Sequence, residues 1–310
     1  MTLEHSLQEL AQSDGSPKHI LLVQLSGLND QEFEQFRSWW PSISSEHRQK
    51  LMGLLVSVAE DNVDLDFNPI FRHCLSDDNP DVRDRAVSGL WECDDRSLVT
   101  PLMTLLREDP YEHVRASAAT ALGKFATLAE AGKLLSRHGE RIKEFLLSVL
   151  KNEQESIDVR RRVLEAVACF NTPEIRSFID WAYDSSDSKL HISALYAMGR
   201  TCDPDWLPVL TAATEDKDPG IRYEAASACA EMGEEKAVHY LIPLIRDDDP
   251  QVQTAAVRAL GAIGGPLAER ALKQCLVSDD EVLQNAAEEA VQQLEAEHDP
   301  INFKLPRYGP

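Results

Sequence analysis

Read for apolar and polar positions, the chain repeats itself. Val82, Val114, Val159, Leu190, Ile221, Val252 and Val282 each follow an acidic turn, at separations of 32, 45, 31, 31, 31 and 30 residues. Self-similarity at such a period marks stacked supersecondary units. Asp, Asn and Ser cap helices, and Pro is tolerated in a first helical turn. The runs DDNP at 77–80, KDP at 217–219 and DDDP at 247–250 therefore each predict the start of a helix, here called B. Four residues after the anchors stand Ala86, Ala118, Val163, Ala194, Ala225, Ala256 and Ala286; eight after stand Leu90, Leu122, Val167, Met198, Cys229 and Leu260. Spacing of four and eight puts anchor, small residue and second apolar residue on one helical face, and alanine there lets neighbouring helices approach closely. Ahead of each later turn lies a second apolar segment, at 98–106, 142–150, 175–182, 206–213, 238–245 and 267–276, which predicts a helix A. A helix pair that cannot bury its own apolar face must stack on copies of itself, so the expected fold is all-α, an α-solenoid of stacked antiparallel helix pairs.

The turn D-P-x-V-R, as in NPDVR at 79–83 and DPGIR at 218–222, followed by A-x-x-A-L-G as in AAVRALG at 255–261, resembles the short HEAT-like repeats of bacterial scaffold proteins and phycobilin lyase subunits. The resemblance covers residues 67 to about 294. Ankyrin and tetratricopeptide signatures are absent. It implies a fold and says little about activity.

The period sets the expected domain organisation: a helical cap at 1–66, a repeat array at 67–298 with an insertion near 129–143, and an extended tail at 299–310. In the cap, Asn29 and Glu32 form a variant capping box ahead of Phe33, Phe36 and Trp39 or Trp40, with Pro41 as a stop, and Leu51, Leu54, Leu55 and Val58 mark a second helix. The 45-residue spacing carries an insertion at 129–143 that holds Lys133, Arg137, His138, Arg141 and Lys143, the most basic local patch in the chain. Such insertions map to a loop or a lengthened helix on one face, and this one reads either as a solvated helix or as a contact for an acidic or phosphorylated segment. In the tail, Ile301, Phe303 and Leu305 alternate in a way that suits docking on the last repeats.

Composition narrows the function classes. The 310 residues hold 53 acidic and 31 basic side chains, for a net charge of −22. Twenty of those acids sit in the turns that open helix B, where capping and the helix dipole favour them, so much of the excess is structural. The balance argues against nucleic acid, which needs a concentrated basic face, and leaves room for a basic partner. Apolar runs are far shorter than the roughly 20 residues that span a bilayer, so no membrane partner is expected. The start, MTLEHSLQEL, lacks a basic segment followed by an apolar run, which predicts no secretory leader and a cytoplasmic protein. Six scattered cysteines without a C-x-x-C pair read as buried thiols, neither disulfides nor a metal site.

No G-x-S-x-G, P-loop or H-E-x-x-H motif is present, and none of the nine histidines is followed by Glu. The His-Glu dipeptides that supply iron ligands in deoxyhypusine hydroxylase, a HEAT-like enzyme, are therefore missing, and no cofactor or catalytic residue is expected. The resemblance implies that B helices line a concave side. Positions two, six and ten after the anchor would face it, which singles out Arg161, Glu165, Tyr196, Arg200, Tyr223 and Arg258, with Glu92 and Lys124 nearby. Tyr and Arg dominate binding energy at many protein interfaces. It also implies that Arg83, Arg115, Arg160 and Arg222 pair with turn carboxylates as a ladder. The expected function is a non-catalytic scaffold that binds a helix or extended peptide; the enzyme-class alternative is a subunit of a tetrapyrrole (phycobilin-type) lyase.

Overall fold

The computed structural model describes residues 3–12 and 17–298, so the docking expected of Ile301, Phe303 and Leu305 lies outside the described residues. The chain forms two compact units, 1–166 and 167–310. Every regular element among the described residues is a helix. The fold class is the expected α-solenoid of antiparallel helix pairs, as each unit shows by itself.

In the first unit the elements are α1 (Leu3–Gln12), α2 (His19–Val23), α3 (Asp30–Trp39), α4 (Ser45–Asp61), α5 (Asn68–Cys74), α6 (Pro80–Gly89), α7 (Val99–Glu108), α8 (Glu112–Glu130), α9 (Ser136–Leu150) and α10 (Ile157–Val167), the last closing at the unit boundary. The B helices α4, α6 and α8 stack side by side in that order, and the A helices α5 and α7 pack on α6 and α8. The capping box forms as read, Asn29 accepting from the Gln31 and Glu32 amides while Glu32 accepts from the Asn29 amide. Of the two candidate tryptophans, Trp40 is the buried one, and its Nε1–H donates to Asp77 at 2.7 Å.

The N-terminal region proves more regular than its sequence. Ser44 caps α4 by accepting from the His47 amide, as Asn79 caps α6. Three residues after its cap α6 buries Val82, whereas α4 has His47 there, only partly buried. Beyond that point the two helices run in phase: Leu51 and Leu55 are buried where α6 buries Ala86 and Leu90. α4 is thus a further B helix of the row, stacked on α6, and its repeat is hidden because a histidine occupies the apolar anchor. The insertion forms no separate lobe. It lengthens α8 to 19 residues and α9 to 15, leaving a short connection at 131–135.

In the second unit the elements are α11 (Pro173–Tyr183), α12 (Ser188–Thr201), α13 (Leu207–Ala213), α14 (Pro219–Met232), α15 (Val238–Leu244), α16 (Pro250–Ile263), α17 (Gly265–Cys275) and α18 (Glu281–His298). The B helices α12, α14, α16 and α18 form one continuous row, each covered by its A helix. Asp187, Asp218 and Asp249 cap the first three through the amides of Leu190, Gly220 and Gln251. Close approach is what the small residues provide. A methyl group added at Gly199 would stand 2.8 Å from the Cα of Ala228, and one at Gly261 would stand 2.7 Å from the Cβ of Ala290. Gly123 of α8 meets the Cα of Ala166 in the same way in the first unit, at 3.1 Å.

The last anchor is corrected by one residue. Val282 is 64% exposed, whereas Leu283 is 9% exposed. Asp280 is the capping residue, accepting from the amides of both, and Leu283 is the third residue after it, as Val252 is after Asp249. Ile221 is only partly buried, so α14 is held chiefly by Ala225, Ala226, Ala228 and Cys229.

Candidate functional site

Two kinds of polar feature run along the B helices, one structural and one open to solvent. The structural feature is the arginine ladder. Arg83 Nε and Nη2 donate to Asp109 at 2.7 and 2.9 Å, and its Nη1 donates to the carbonyls of Asp77 and Asp78 at 2.7 and 3.2 Å. Arg115 repeats this with Glu155 at 3.1 and 2.8 Å and the Asp109 carbonyl at 2.9 Å. In the second unit Arg222 holds Asp247 at 2.7 and 2.6 Å and the Asp216 carbonyl at 2.8 Å. Each guanidinium thus ties one turn's carbonyl to the next turn's carboxylate, a geometry that suits its planar fork. Arg48 of α4 approaches Asp77 to 3.0 Å, the same rung in the hidden repeat.

Arg160 Nε donates to the Leu150 carbonyl at 3.1 Å, and burial pushes its pKa down while the Glu153 charge opposes that shift. In α16 a glutamine stands at the ladder position, Gln253, and it still reaches the Asp247 carbonyl at 2.6 Å. Asp247 is held below the usual carboxylate range, first by its hydrogen bond to Arg222.

The solvent-facing feature is the stripe singled out by sequence. In the second unit it brings together Tyr196 and Arg200 of α12, Tyr223 of α14 and Arg258 of α16, three adjacent helices of one row. Tyr196 and Tyr223 are 39% and 40% exposed, so neither ring is absorbed between helices. Arg200 Nη1 bonds Glu231 of α14 at 2.8 Å. Burial opposes its charge, but that bond together with Tyr196 nearby holds its pKa above the ordinary value. Arg258 projects into solvent.

The candidates of the first unit are engaged within the chain. Lys124 Nζ donates to the Trp91 carbonyl at 2.6 Å and lies 2.6 Å from Asp94. Arg161 bonds Asp158 at 2.8 Å and lies 3.7 Å from Glu165, which also meets Arg162 at 2.7 Å. Glu92 is exposed and sits in the turn after α6, which ends at Gly89. Its neighbour Trp91, passed over because it falls between the chosen positions, is 51% exposed beside Lys124. A tryptophan in a polar turn was the available signal.

The thiols divide by place. Cys74, Cys229 and Cys275 are buried; Cys93 and Cys169 are intermediate and Cys202 is exposed, a departure for that residue from the expectation of buried thiols. Burial pushes the Cys229 thiol up to about 12 and raises Cys74 and Cys275 as well, so these three are poor nucleophiles. Among the described residues no group of three His, Cys, Asp or Glu side chains is arranged to hold a metal ion, and no helix is long and apolar enough to cross a membrane.

A family model described as HEAT repeats matches residues 68–141, 143–228, 175–252 and 208–292. No curated protein matches the chain. Among solved structures, the chain resembles the complex of CpcE and CpcF of phycocyanin lyase from Nostoc sp. PCC7120. Identity is 17%, over 74% of this chain and 94% of that one, with a TM-score of 0.48. YibA of E. coli is 18% identical over 92% of this chain and 98% of its own, with a TM-score of 0.46. Human deoxyhypusine hydroxylase is 15% identical over 94% and 96%, with a TM-score of 0.37.

Proposed function

The chain belongs to the HEAT-repeat family, and from that premise we propose that it is a non-catalytic scaffold that binds a helix or extended peptide along the B-helix row of its second unit. One observation carries this reading: two tyrosines, Tyr196 and Tyr223, stand exposed on neighbouring helices with the Arg200–Glu231 pair between those helices and Arg258 on the next. Tyrosine offers a large rigid contact area with a polar tip at small entropic cost, and arginine adds a fork that reads carboxylates and backbone carbonyls. A row of such groups suits multipoint recognition of a chain laid across several helices. The net charge of −22 disfavours nucleic acid and favours a partner with basic residues.

Replacing Tyr196, Arg200 and Tyr223 together with alanine is expected to abolish capture of the partner while the melting temperature stays within about 3 °C, because exposed ion pairs contribute only about 0–1 kcal/mol. Affinity capture and thermal melts of the same preparations check both halves. Unfolding of the triple variant would assign these residues to the core, and undiminished capture would place the binding surface elsewhere.

A further inference from the structure

A cleft opens between two A helices where Arg141, from the insertion, joins the residues of the regular repeat. It lies between α7 and α9 in the first unit, has a volume of about 480 Å³, and is lined by Thr100, Met103, Thr104, Arg107, Arg141, Glu144, Phe145 and Ser148. Each wall supplies one arginine. Arg107 of α7 stacks on the Phe145 ring with its guanidinium carbon 4.7 Å from the ring centre, which fixes the plane and leaves its N–H edge free. Arg141 of α9 reaches across to donate to the Thr100 hydroxyl at 3.3 Å. Neither forms an ion pair among the described residues, in contrast to Arg83, Arg115 and Arg222 of the ladder. Arg137, one turn before Arg141, extends the positive strip, and Glu144 offsets one of its charges.

The geometry points to a binding site for a single phosphomonoester carried on a peptide, a phosphoserine or phosphothreonine side chain gripped between Arg107 and Arg141. Donor arithmetic selects phosphate over carboxylate. Two guanidinium forks plus the hydroxyl hydrogens of Thr100 and Thr104 outnumber what two carboxylate oxygens accept and suit the three terminal oxygens of a phosphoryl group. Ser148 adds no donor, since its hydroxyl is spent on the Phe145 carbonyl at 2.6 Å. The surrounding charge selects the carrier: a polyanion or an anionic membrane would be repelled by a chain of net charge −22, whereas one phosphoryl group on an otherwise neutral or basic peptide meets only the local positive field. The inference is independent of the tyrosine row.

Calorimetric titration of the full chain tests it, with N-acetyl-O-phosphoserine N-methylamide as probe. The parallel probes are its unphosphorylated and glutamate counterparts, inorganic phosphate, and vesicles containing phosphatidylglycerol. The phosphoserine probe is expected to bind, with affinity falling about tenfold or more in Arg107→Ala and in Arg141→Ala, less in Arg107→Lys, and not at all in Arg96→Ala, an exposed arginine outside the cleft. All three positions are surface sites, so the helical spectrum should not change. Absence of binding, equal loss in Arg96→Ala, or equal affinity for the glutamate probe, inorganic phosphate or the vesicles would overturn the assignment.

Discussion

Replacing Arg83 by alanine is expected to destabilise the chain by about 4 kcal/mol, whereas Arg37→Ala should cost less than about 0.5 kcal/mol, although both arginines hold a carboxylate at 2.7 Å. The difference is burial. Arg83 and Asp109 side chains are 10% and 3% exposed, so removing the guanidinium strands a buried charge and frees the Asp77 and Asp78 carbonyls at once. The Arg37–Glu34 pair sits in water on one helix. Arg83→Lys should recover less than half of the loss, because an ammonium cannot span carboxylate and carbonyl with a fixed fork. Urea unfolding followed by far-ultraviolet circular dichroism measures all three.

The equivalent rung in the second unit adds a pH dependence. Arg222 lowers the folded-state pKa of Asp247, so the stabilisation from that carboxylate is complete above its unfolded-state pKa and is lost as pH falls through the lower, folded-state value. Asp247→Asn should flatten that part of the acid limb.

The second large effect is expected at Gly199. Gly199→Val should cost about 3 kcal/mol, because the new side chain would start 2.8 Å from the Ala228 Cα and 3.1 Å from its carbonyl oxygen, and backbone cannot rotate aside. Gly199→Ala is the sharper comparison. Helix propensity alone would stabilise it by about 1 kcal/mol, so any net destabilisation reports the close approach of α12 and α14. The control is Ala262→Val on the exposed side of α16, expected to lie within about 1 kcal/mol of the parent. Thermal melts of the three variants decide it.

The interior of the repeats was legible because burial dictates residue type there: alanine where helices touch, leucine and valine where A meets B. Phase was less legible, since the reading aligned on the apolar anchor and two anchors mislead. His47 hides the α4 repeat, and Val282 stands beside the true anchor Leu283. The capping residue keeps better phase. Ser44, Asn79, Asp187, Asp218, Asp249 and Asp280 each precede the anchor position by three residues, because the cap is fixed by the helix's first turn and not by what the helix packs against. Surface positions are less constrained. Spacing placed Tyr196 and Tyr223 on an exposed stripe, but it could not show that Lys124, Arg161 and Glu165 are occupied by their own neighbours, nor that Arg141 of the insertion lines a cleft against α7.

The most direct test of the scaffold reading is hydroxyl-radical footprinting of the chain alone and in complex with its captured partner, read at individual tyrosines. Tyr240 of α15 is 46% exposed on an A helix and serves as the internal reference. The account predicts that oxidation of Tyr196 and Tyr223 falls in the complex while Tyr240 is unchanged. Protection of Tyr240 with Tyr196 and Tyr223 still freely oxidised would contradict it.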